Sequence, residues 1–172
     1  IAIAHALQTN SSLTSLDLHK NKIGDDGAIA IANALKVNSS LITLNLRNND
    51  IKINGTIEIA GTLEVNSTLT SLDIGRNSIG DDGVMAIVDA LKINSSLTNL
   101  KLGRNDIGSE SVLAIADALN INESLSSINL SGNQVGTHGI NVLAGALRIN
   151  SELTSLDLAS NEIDHEGAIL IA

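Results

Sequence analysis

Residues 13–27 read LTSLDLHKNKIGDDG, and closely similar runs begin at positions 69 and 153. Three columns of identical residues return every 28 positions without a single insertion. The columns are Leu13, Leu41, Leu69, Leu97, Leu125, Leu153; Asn21, Asn49, Asn77, Asn105, Asn133, Asn161; and Asn10, Asn38, Asn66, Asn94, Asn122, Asn150. Self-similarity at one fixed period predicts a repeat architecture, in which each unit packs only against its neighbours.

Each repeat divides into a strand half and a helix half. Leu16 and Leu18 alternate with polar residues, and this period of two predicts a short strand over positions 14–18. Farther on, Ile31 and Leu35 lie one helical turn apart in an alanine-rich stretch, which predicts a helix. We therefore expect one strand and one helix in every repeat.

Stacked strand–helix units are expected to form an α/β solenoid. Strands that are joined through helices run parallel, and the crossover between them is right-handed. Because helices are wider than strands, the stack bends into an arc, with the parallel sheet on its concave face and the helices on its convex face. We expect a single array over residues 1–172, with a partial helix at 1–10, repeats that start at positions 13, 41, 69, 97, 125 and 153, and a truncated last helix.

Polar residues at fixed positions of the repeat carry structural predictions. Asp25 and Asp26 are placed to cap the start of their own helix and to face its positive dipole end. Asn38 and its copies follow the helix, where a left-handed residue is expected and asparagine tolerates that conformation. Asn21 and its copies are expected to point inward and to bond backbone groups where each strand turns into a loop.

The pattern Leu-x-x-Leu-x-Leu-x-x-Asn, followed by Ile-Gly and a helix, resembles the leucine-rich repeat family, in particular its 28-residue ribonuclease-inhibitor-like class. The resemblance covers the whole chain. That repeat serves inhibitors, innate-immune receptors of the nucleotide-binding class, Ran GTPase-activating proteins and bacterial effectors. It implies a non-catalytic protein-interaction scaffold, a segment of a larger receptor, regulator or effector. The alternatives are an enzyme regulator of the Ran GTPase-activating type and a purely structural spacer.

Composition narrows the classes of partner. The formal net charge is −9 and the isoelectric point is about 4.7, which argues against binding to nucleic acid or to an anionic membrane surface. The chain contains no cysteine, so it has no disulfide framework and no thiolate metal site, and a cytoplasmic location fits best. Aromatic residues and proline are also absent, so the core is expected to be aliphatic and regular.

The two ends of the chain lie within helical patterns. Neither end carries the polar capping repeat that solenoids use to remain soluble. The sequence therefore predicts exposed apolar ends that tend to self-associate.

The candidate binding surface consists of variable positions on the concave face. This face carries five basic and three acidic residues, a net charge of +2, which leaves −11 for the rest of the chain. Arginine suits carboxylate recognition through its planar fork, so a stripe of such residues favours an acidic segment of a partner protein. The predicted contact residues are Asp17, His19, Lys20, Arg47, Asp73, Arg76, Lys101 and Arg104.

Other motifs point to structure rather than chemistry. The Gly-Asp-Asp-Gly runs lack the alternating oxygen ligands and the final glutamate of a calcium loop, so no metal or other cofactor is expected. Asp17 could orient His19 as a base, but no nucleophile accompanies the pair, and we expect no catalytic residue. Most of the Asn-x-Ser/Thr glycosylation sequons coincide with the helix-end asparagines, which favours a capping role over modification.

Overall fold

The computed structural model describes residues 2–171 as seven helices that alternate with six short strands. The helices are α1 (Ala2–Thr9), α2 (Gly24–Leu35), α3 (Ile53–Leu63), α4 (Gly80–Leu91), α5 (Ser109–Leu119), α6 (Gly136–Leu147) and α7 (His165–Ile171). The strands are β1 (Ser15–Asp17), β2 (Thr43–Asn45), β3 (Ser71–Asp73), β4 (Asn99–Lys101), β5 (Ser127–Asn129) and β6 (Ser155–Asp157). The predicted α/β solenoid is confirmed.

The six strands form one parallel sheet in chain order, and each residue pairs with the residue 28 positions later. The sequence pattern predicted five-residue strands, whereas each observed strand has three residues. Hydrogen bonds between repeats nevertheless continue beyond the strands, for example from Leu18 N to Asn45 O at 2.8 Å. The register of the sheet therefore extends into the loops that follow.

The hydrophobic core lies between the sheet and the helices and consists of aliphatic side chains. Leu44 and Leu46 on β2 and its following loop, together with Ile31 and Leu35 on α2, are at most 5% exposed. Their counterparts in the next repeats are buried in the same way, because one repeat supplies the neighbours of the next. Burial of these columns is the main force that stacks the units.

The asparagines that follow the helices are not left-handed, which corrects the predicted role of Asn38 and its copies. None of them is among the described residues with positive φ, and Asn38 is buried at 5% exposure. The Asn38 amide donates to Leu7 O at 2.8 Å and to Asn10 O at 2.9 Å in the preceding repeat. Its Oδ1 accepts the backbone N–H of Leu41 at 2.9 Å. This column is therefore a link between repeats.

The acidic residues in the first turn of α2 and α4 do not cap their own helices, which corrects a second prediction. Asp25 Oδ1 accepts N–H groups from Lys52 at 2.7 Å and Gly55 at 3.0 Å, at the start of the neighbouring α3. Asp81 Oδ1 likewise accepts from Gly108 N at 2.8 Å, at the start of α5. Each carboxylate thus supplies an N-terminal cap to the next repeat's helix.

Successive repeats alternate between two loop forms, so the structural period is twice the sequence period. The helices α2, α4 and α6 begin at glycines with positive φ, and each has 12 residues. The helices α3, α5 and α7 begin one repeat position later, and positive φ falls instead on an acidic residue upstream. These residues are Gly24, Gly80 and Gly136 in one form, and Asp50, Asp106 and Glu162 in the other. The carboxylates that cap a neighbouring helix come from the first form.

Candidate functional site on the concave face

Four basic residues of the predicted site follow consecutive strands, because the sheet register continues past the strand ends. Lys20 N donates to Arg47 O at 2.8 Å, Arg76 N donates to Gly103 O at 2.7 Å, and Arg104 N donates to Ser131 O at 2.8 Å. Neighbouring rungs of a sheet are about 4.8 Å apart. Lys20, Arg76 and Arg104 share one repeat position and Arg47 lies one position earlier in its repeat. The four form a row with one cation per repeat, which we call the basic row.

Three members of the basic row have left-handed backbones. The φ angles are 58° at Lys20, 52° at Arg76 and 59° at Arg104. This conformation is uncommon for residues with a Cβ atom and costs on the order of 1–3 kcal/mol each. Gly132 holds the same repeat position in the fifth repeat, where glycine adopts a φ of 69° without that cost.

Two arginines of the row extend over glycines of the following repeat. A Cβ atom built at Gly75 would lie 3.5 Å from Arg47 Nη1, and one built at Gly132 would lie 2.7 Å from Arg104 Cγ. The bare glycine backbone therefore provides the space that these long side chains occupy. Arg47 is half-buried by this packing, whereas Arg76 and Arg104 remain exposed.

The two predicted aspartates differ in accessibility. Asp17 is exposed, and its Oδ1 lies 2.8 Å from His19 Nδ1. The backbone N–H of His19, followed by its ring, holds the pKa of Asp17 below the ordinary value for aspartate. Asp73 is only 9% exposed, and its Oδ2 lies 4.0 Å from Lys101 Nζ. Asp73 is therefore placed to orient Lys101 rather than to meet a partner directly.

Sequence reasoning missed a structural role for the acidic and amide residues of this column. Asp17 Oδ1 accepts the N–H of His19 at 2.9 Å, and Asp73 Oδ1 accepts the N–H of Gly75 at 2.9 Å. The same bond, to the residue two positions later, recurs at Asn45, Asn129 and Asp157. Aspartate and asparagine form this local turn readily, so their repetition at one position was the available signal. Lys101 replaces the acceptor in the fourth repeat.

The basic row has no close ion pair in the described part of the chain. Among residues 2–171, no carboxylate lies within 4.0 Å of the charged atoms of Lys20, Arg47, Arg76 or Arg104. An open groove of about 670 Å³ borders the row beside Lys20 and Asn48, and its lining adds Lys22 and Asp50. The concave-face charge count had left out these two loop residues.

The structure brings seven of the eight predicted contact residues to accessible or half-accessible positions on one surface, and Asp73 is the buried exception. Their role in binding stays a prediction. Within residues 2–171, no group of three or more acidic or histidine side chains is placed to hold a metal ion. No helix in that range is both long and apolar enough to cross a bilayer.

Most of the glycosylation sequons contain asparagines whose side chains are buried and already hydrogen-bonded. Asn38, Asn66, Asn94 and Asn122 are 5–7% exposed, and each donates its amide to backbone carbonyls of the preceding repeat. An attached glycan would break these bonds. Of the remaining three sequon asparagines, Asn10 accepts two backbone N–H groups, Asn54 is exposed on α3, and Asn129 on β5 donates to Asp157 Oδ2 at 2.6 Å.

A protein-family model described as leucine-rich repeat matches six segments of the chain, namely residues 9–32, 37–60, 65–88, 94–116, 122–144 and 150–172. No curated protein sequence matches the chain significantly.

Several solved structures share the architecture. The actin-binding site 2 of leiomodin-1 superposes with a TM-score of 0.72 at 23% identity, over 84% of this chain and 87% of that one. A tropomodulin C-terminal domain from Caenorhabditis elegans gives 0.73 at 15% identity, over 88% and 92%. An internalin from Listeria monocytogenes gives 0.59 at 23% identity, over 96% of this chain but 47% of that one. At these identities the likeness shows the fold alone.

Proposed function

Since the chain belongs to the leucine-rich repeat family, we propose that it is a non-catalytic protein-binding scaffold that receives an acidic segment of its partner on the concave face. The observation that carries the proposal is the basic row, in which Lys20, Arg47, Arg76 and Arg104 stand one per rung without a carboxylate within 4.0 Å in residues 2–171. Such a row attracts carboxylates while the rest of this acidic chain repels them.

The affinity of this surface is expected to be modest and sensitive to salt. The chain contains no tryptophan or tyrosine, which are the usual anchors of tight interfaces. Arg76 and Arg104 are exposed, so salt screens their attraction to a ligand. Binding by this face therefore depends on several simultaneous charge contacts rather than on one buried residue.

The proposal also covers the repeat class, the cellular location and the type of partner. The 28-residue period and the helix in each repeat support the ribonuclease-inhibitor-like class. The lack of cysteine supports a cytoplasmic location, and the net charge of −9 supports a protein partner over nucleic acid or membrane.

The test measures binding of a fluorescently labelled peptide of alternating glutamate and serine by anisotropy, with a lysine–serine peptide as the opposite charge. We expect the triple variant Arg47→Gln, Arg76→Gln, Arg104→Gln to weaken binding at least tenfold. The matched control is Lys52→Gln, Lys92→Gln, Arg148→Gln, which removes the same charge from exposed positions elsewhere and should weaken binding less than twofold.

Two outcomes would overturn the proposal: equal losses in the two triple variants, or equal binding of the two peptides. Actin filaments serve as a second probe, because one similar structure is an actin-binding site. Co-sedimentation with actin that the arginine triple leaves unchanged would place the interface elsewhere on the molecule.

A further inference from the structure

A second surface lies at the opposite edge of the array, where helices end and the following strands begin. The second residue after each of the helices α2 to α6 is a β-branched apolar residue, and each is 60–70% exposed. We call this column the apolar ridge, and it consists of Val37, Val65, Ile93, Ile121 and Ile149. Five such residues in one register form a larger apolar surface than isolated exposed side chains, and patches of this kind mark interaction sites.

The backbone does not require apolar side chains at these positions. Val37 N donates to Ala34 O at 3.2 Å and Ile93 N donates to Ala90 O at 3.2 Å, so each helix has already closed. The adjacent asparagine, such as Asn38 or Asn94, supplies the link between repeats. A polar residue would satisfy the same geometry, so the fold leaves the ridge unexplained.

Grooves separate the residues of the ridge. One of about 90 Å³ lies between the loops that carry Val65 and Ile93, and another of about 350 Å³ lies between the loops of Ile93 and Ile121. Protruding side chains and grooves thus alternate at one pitch. A second copy of the same edge has the same pitch, so the ridge residues of two copies can meet one another in register.

The charges along the ridge also fit a second copy. Five-residue loops surround the ridge residues, and their net charges are +1 at 36–40, −1 at 64–68, +1 at 92–96, −1 at 120–124 and zero at 148–152. The five loops together are therefore neutral, although the chain carries −9. Lys36 and Lys92 in these loops also pair with Glu58 at 3.2 Å and with Asp89 at 2.8 Å. Two copies of an acidic protein repel each other least when they meet through a neutral face.

The alternation of charge selects the register of the pair. A two-fold axis through the groove between Val65 and Ile93 places loop 36–40 against loop 120–124 of the second copy, and loop 64–68 against loop 92–96. All four loop contacts then join opposite charges. An axis through Ile93 itself would instead oppose 64–68 to 120–124, which are both negative, and would oppose 92–96 to its own copy. Like charges at such contacts are unfavourable.

From this arrangement we propose that the apolar ridge is the interface of an antiparallel homodimer, centred between Val65 and Ile93. The four paired loops provide 20 residues from each copy, which lies within the range of about 20–30 residues a side that stable interfaces use. The concave face remains open in this dimer, because it lies on a different side of the strands. The basic rows of the two copies are thus available to one partner protein.

Sedimentation velocity of the 172-residue chain at micromolar to millimolar concentration is the direct test. We expect a dimer whose dissociation constant rises at least tenfold in the variant Val65→Asp, Ile93→Asp. The matched control is Ile57→Asp, Leu113→Asp, which changes two apolar residues of the convex helices that are 46% and 45% exposed. This control should dimerise as the unmodified chain does.

Charge exchange and cross-linking test the register. Glu64→Lys or Lys92→Glu alone should weaken the dimer, and the double variant should restore it. Because the chain has no cysteine, the single variants Val65→Cys and Ile93→Cys can be oxidised separately or mixed, and the disulfide dimer is expected chiefly in the mixture. A monomeric chain at millimolar concentration, dissociation by the convex control, or a dimer indifferent to the ridge variant would each overturn the proposal.

Discussion

At the scale of single residues, two columns of asparagine side chains connect each repeat to its neighbours. Asn77 illustrates the first column: its amide donates to Ile74 O at 2.8 Å and to Leu46 O at 3.2 Å. Its Oδ1 accepts the N–H groups of Asn49 at 2.9 Å and Ile51 at 3.1 Å. One side chain therefore satisfies buried backbone groups on two successive loops. The predicted inward role of this column is confirmed.

Replacement of Asn77 by leucine should destabilise the chain by roughly 1–3 kcal/mol through unsatisfied backbone groups, because Asn77 is 8% exposed and water cannot substitute for it. Urea denaturation followed by circular dichroism measures the loss. The matched control is Asn21→Leu, which alters the exposed first member of the same column and should cost less. Equal losses would contradict this role for burial.

Part of the residue-level detail was readable from the sequence. The invariance of Asn21 and its copies indicated a structural role, because a ligand-binding column has no reason to repeat one side chain six times. The error at Asn38 arose from a choice between two sites that suit asparagine, a left-handed cap and a buried link. That choice depends on whether the amide reaches carbonyls 28 and 31 residues earlier, which only the packed structure reveals.

At the scale of elements, helix caps are exchanged between repeats. The helix α3 has no side-chain cap from its own N-cap residue Lys52, and Asp25 of the preceding repeat provides the acceptor instead. At α7 the cap is local, since Asp164 Oδ1 accepts the N–H of Gly167 at 2.8 Å. That hydrogen bond, followed by one from the Thr137 hydroxyl, holds the pKa of Asp164 below its ordinary value.

We expect Asp25→Ala to reduce stability by about 1 kcal/mol, as loss of an N-terminal cap does. Asp26→Ala is the control, because Asp26 lies in the same first turn of α2 and is exposed. The difference between the two isolates the cap from the dipole effect. Hydrogen exchange should accelerate at the amides of Lys52 and Gly55 in the Asp25 variant alone; protection that stays unchanged there would refute the assignment.

The exchange of caps was beyond sequence reasoning for a physical reason. An aspartate at a helix start can cap its own helix or the helix of a neighbouring repeat. The sequence pattern is the same in both cases and does not distinguish them. The helix itself was well predicted, because apolar spacing such as that of Ile31 and Leu35 is a property of one element. The strands came out two residues shorter than predicted because the alternating pattern continues into loops that keep the register but leave the strand conformation.

At the scale of the whole molecule, the 28-residue period was fixed by the columns, but the alternation of two loop forms was not predicted. Its signal was present in one column: an acidic residue at positions 50, 106 and 162 alternates with lysine, serine and glutamine at positions 22, 78 and 134. The location of the candidate surface could be read from the sequence, because variable residues follow each strand, and its role in binding stays a prediction. The lack of close ion pairs in the basic row and the burial of Asp73 could be seen only in the side-chain geometry.

The alternation predicts how the array tolerates deletion. Removal of residues 69–96 would place α5 beside α3, where Ile53 occupies the position that Asp81 holds in the full chain, so α5 would lose its cap. We expect Ile53→Asp to stabilise this shortened chain by about 1 kcal/mol. The same substitution in the full chain should change stability by less than about 0.5 kcal/mol. In that chain residue 53 lies beside α4, which begins with the other loop form and does not take a cap from the preceding repeat.

Urea denaturation of the four proteins measures the coupling between deletion and substitution. An aspartate that helps both chains equally would show that the two loop forms are interchangeable. Removal of residues 69–124, which takes out one repeat of each form, is the second control and should not respond to Ile53→Asp.

The left-handed backbone under the basic row has a consequence for how this surface can change. Gly132 shows that the array accepts a residue without that torsional penalty at the same point of the repeat. Exchange of Arg76 or Arg104 for glycine would relax the main chain while erasing a cation. Selection for thermal stability alone would therefore favour loss of the positive charges from the concave face. Stability and the proposed binding would then favour different residues at this position.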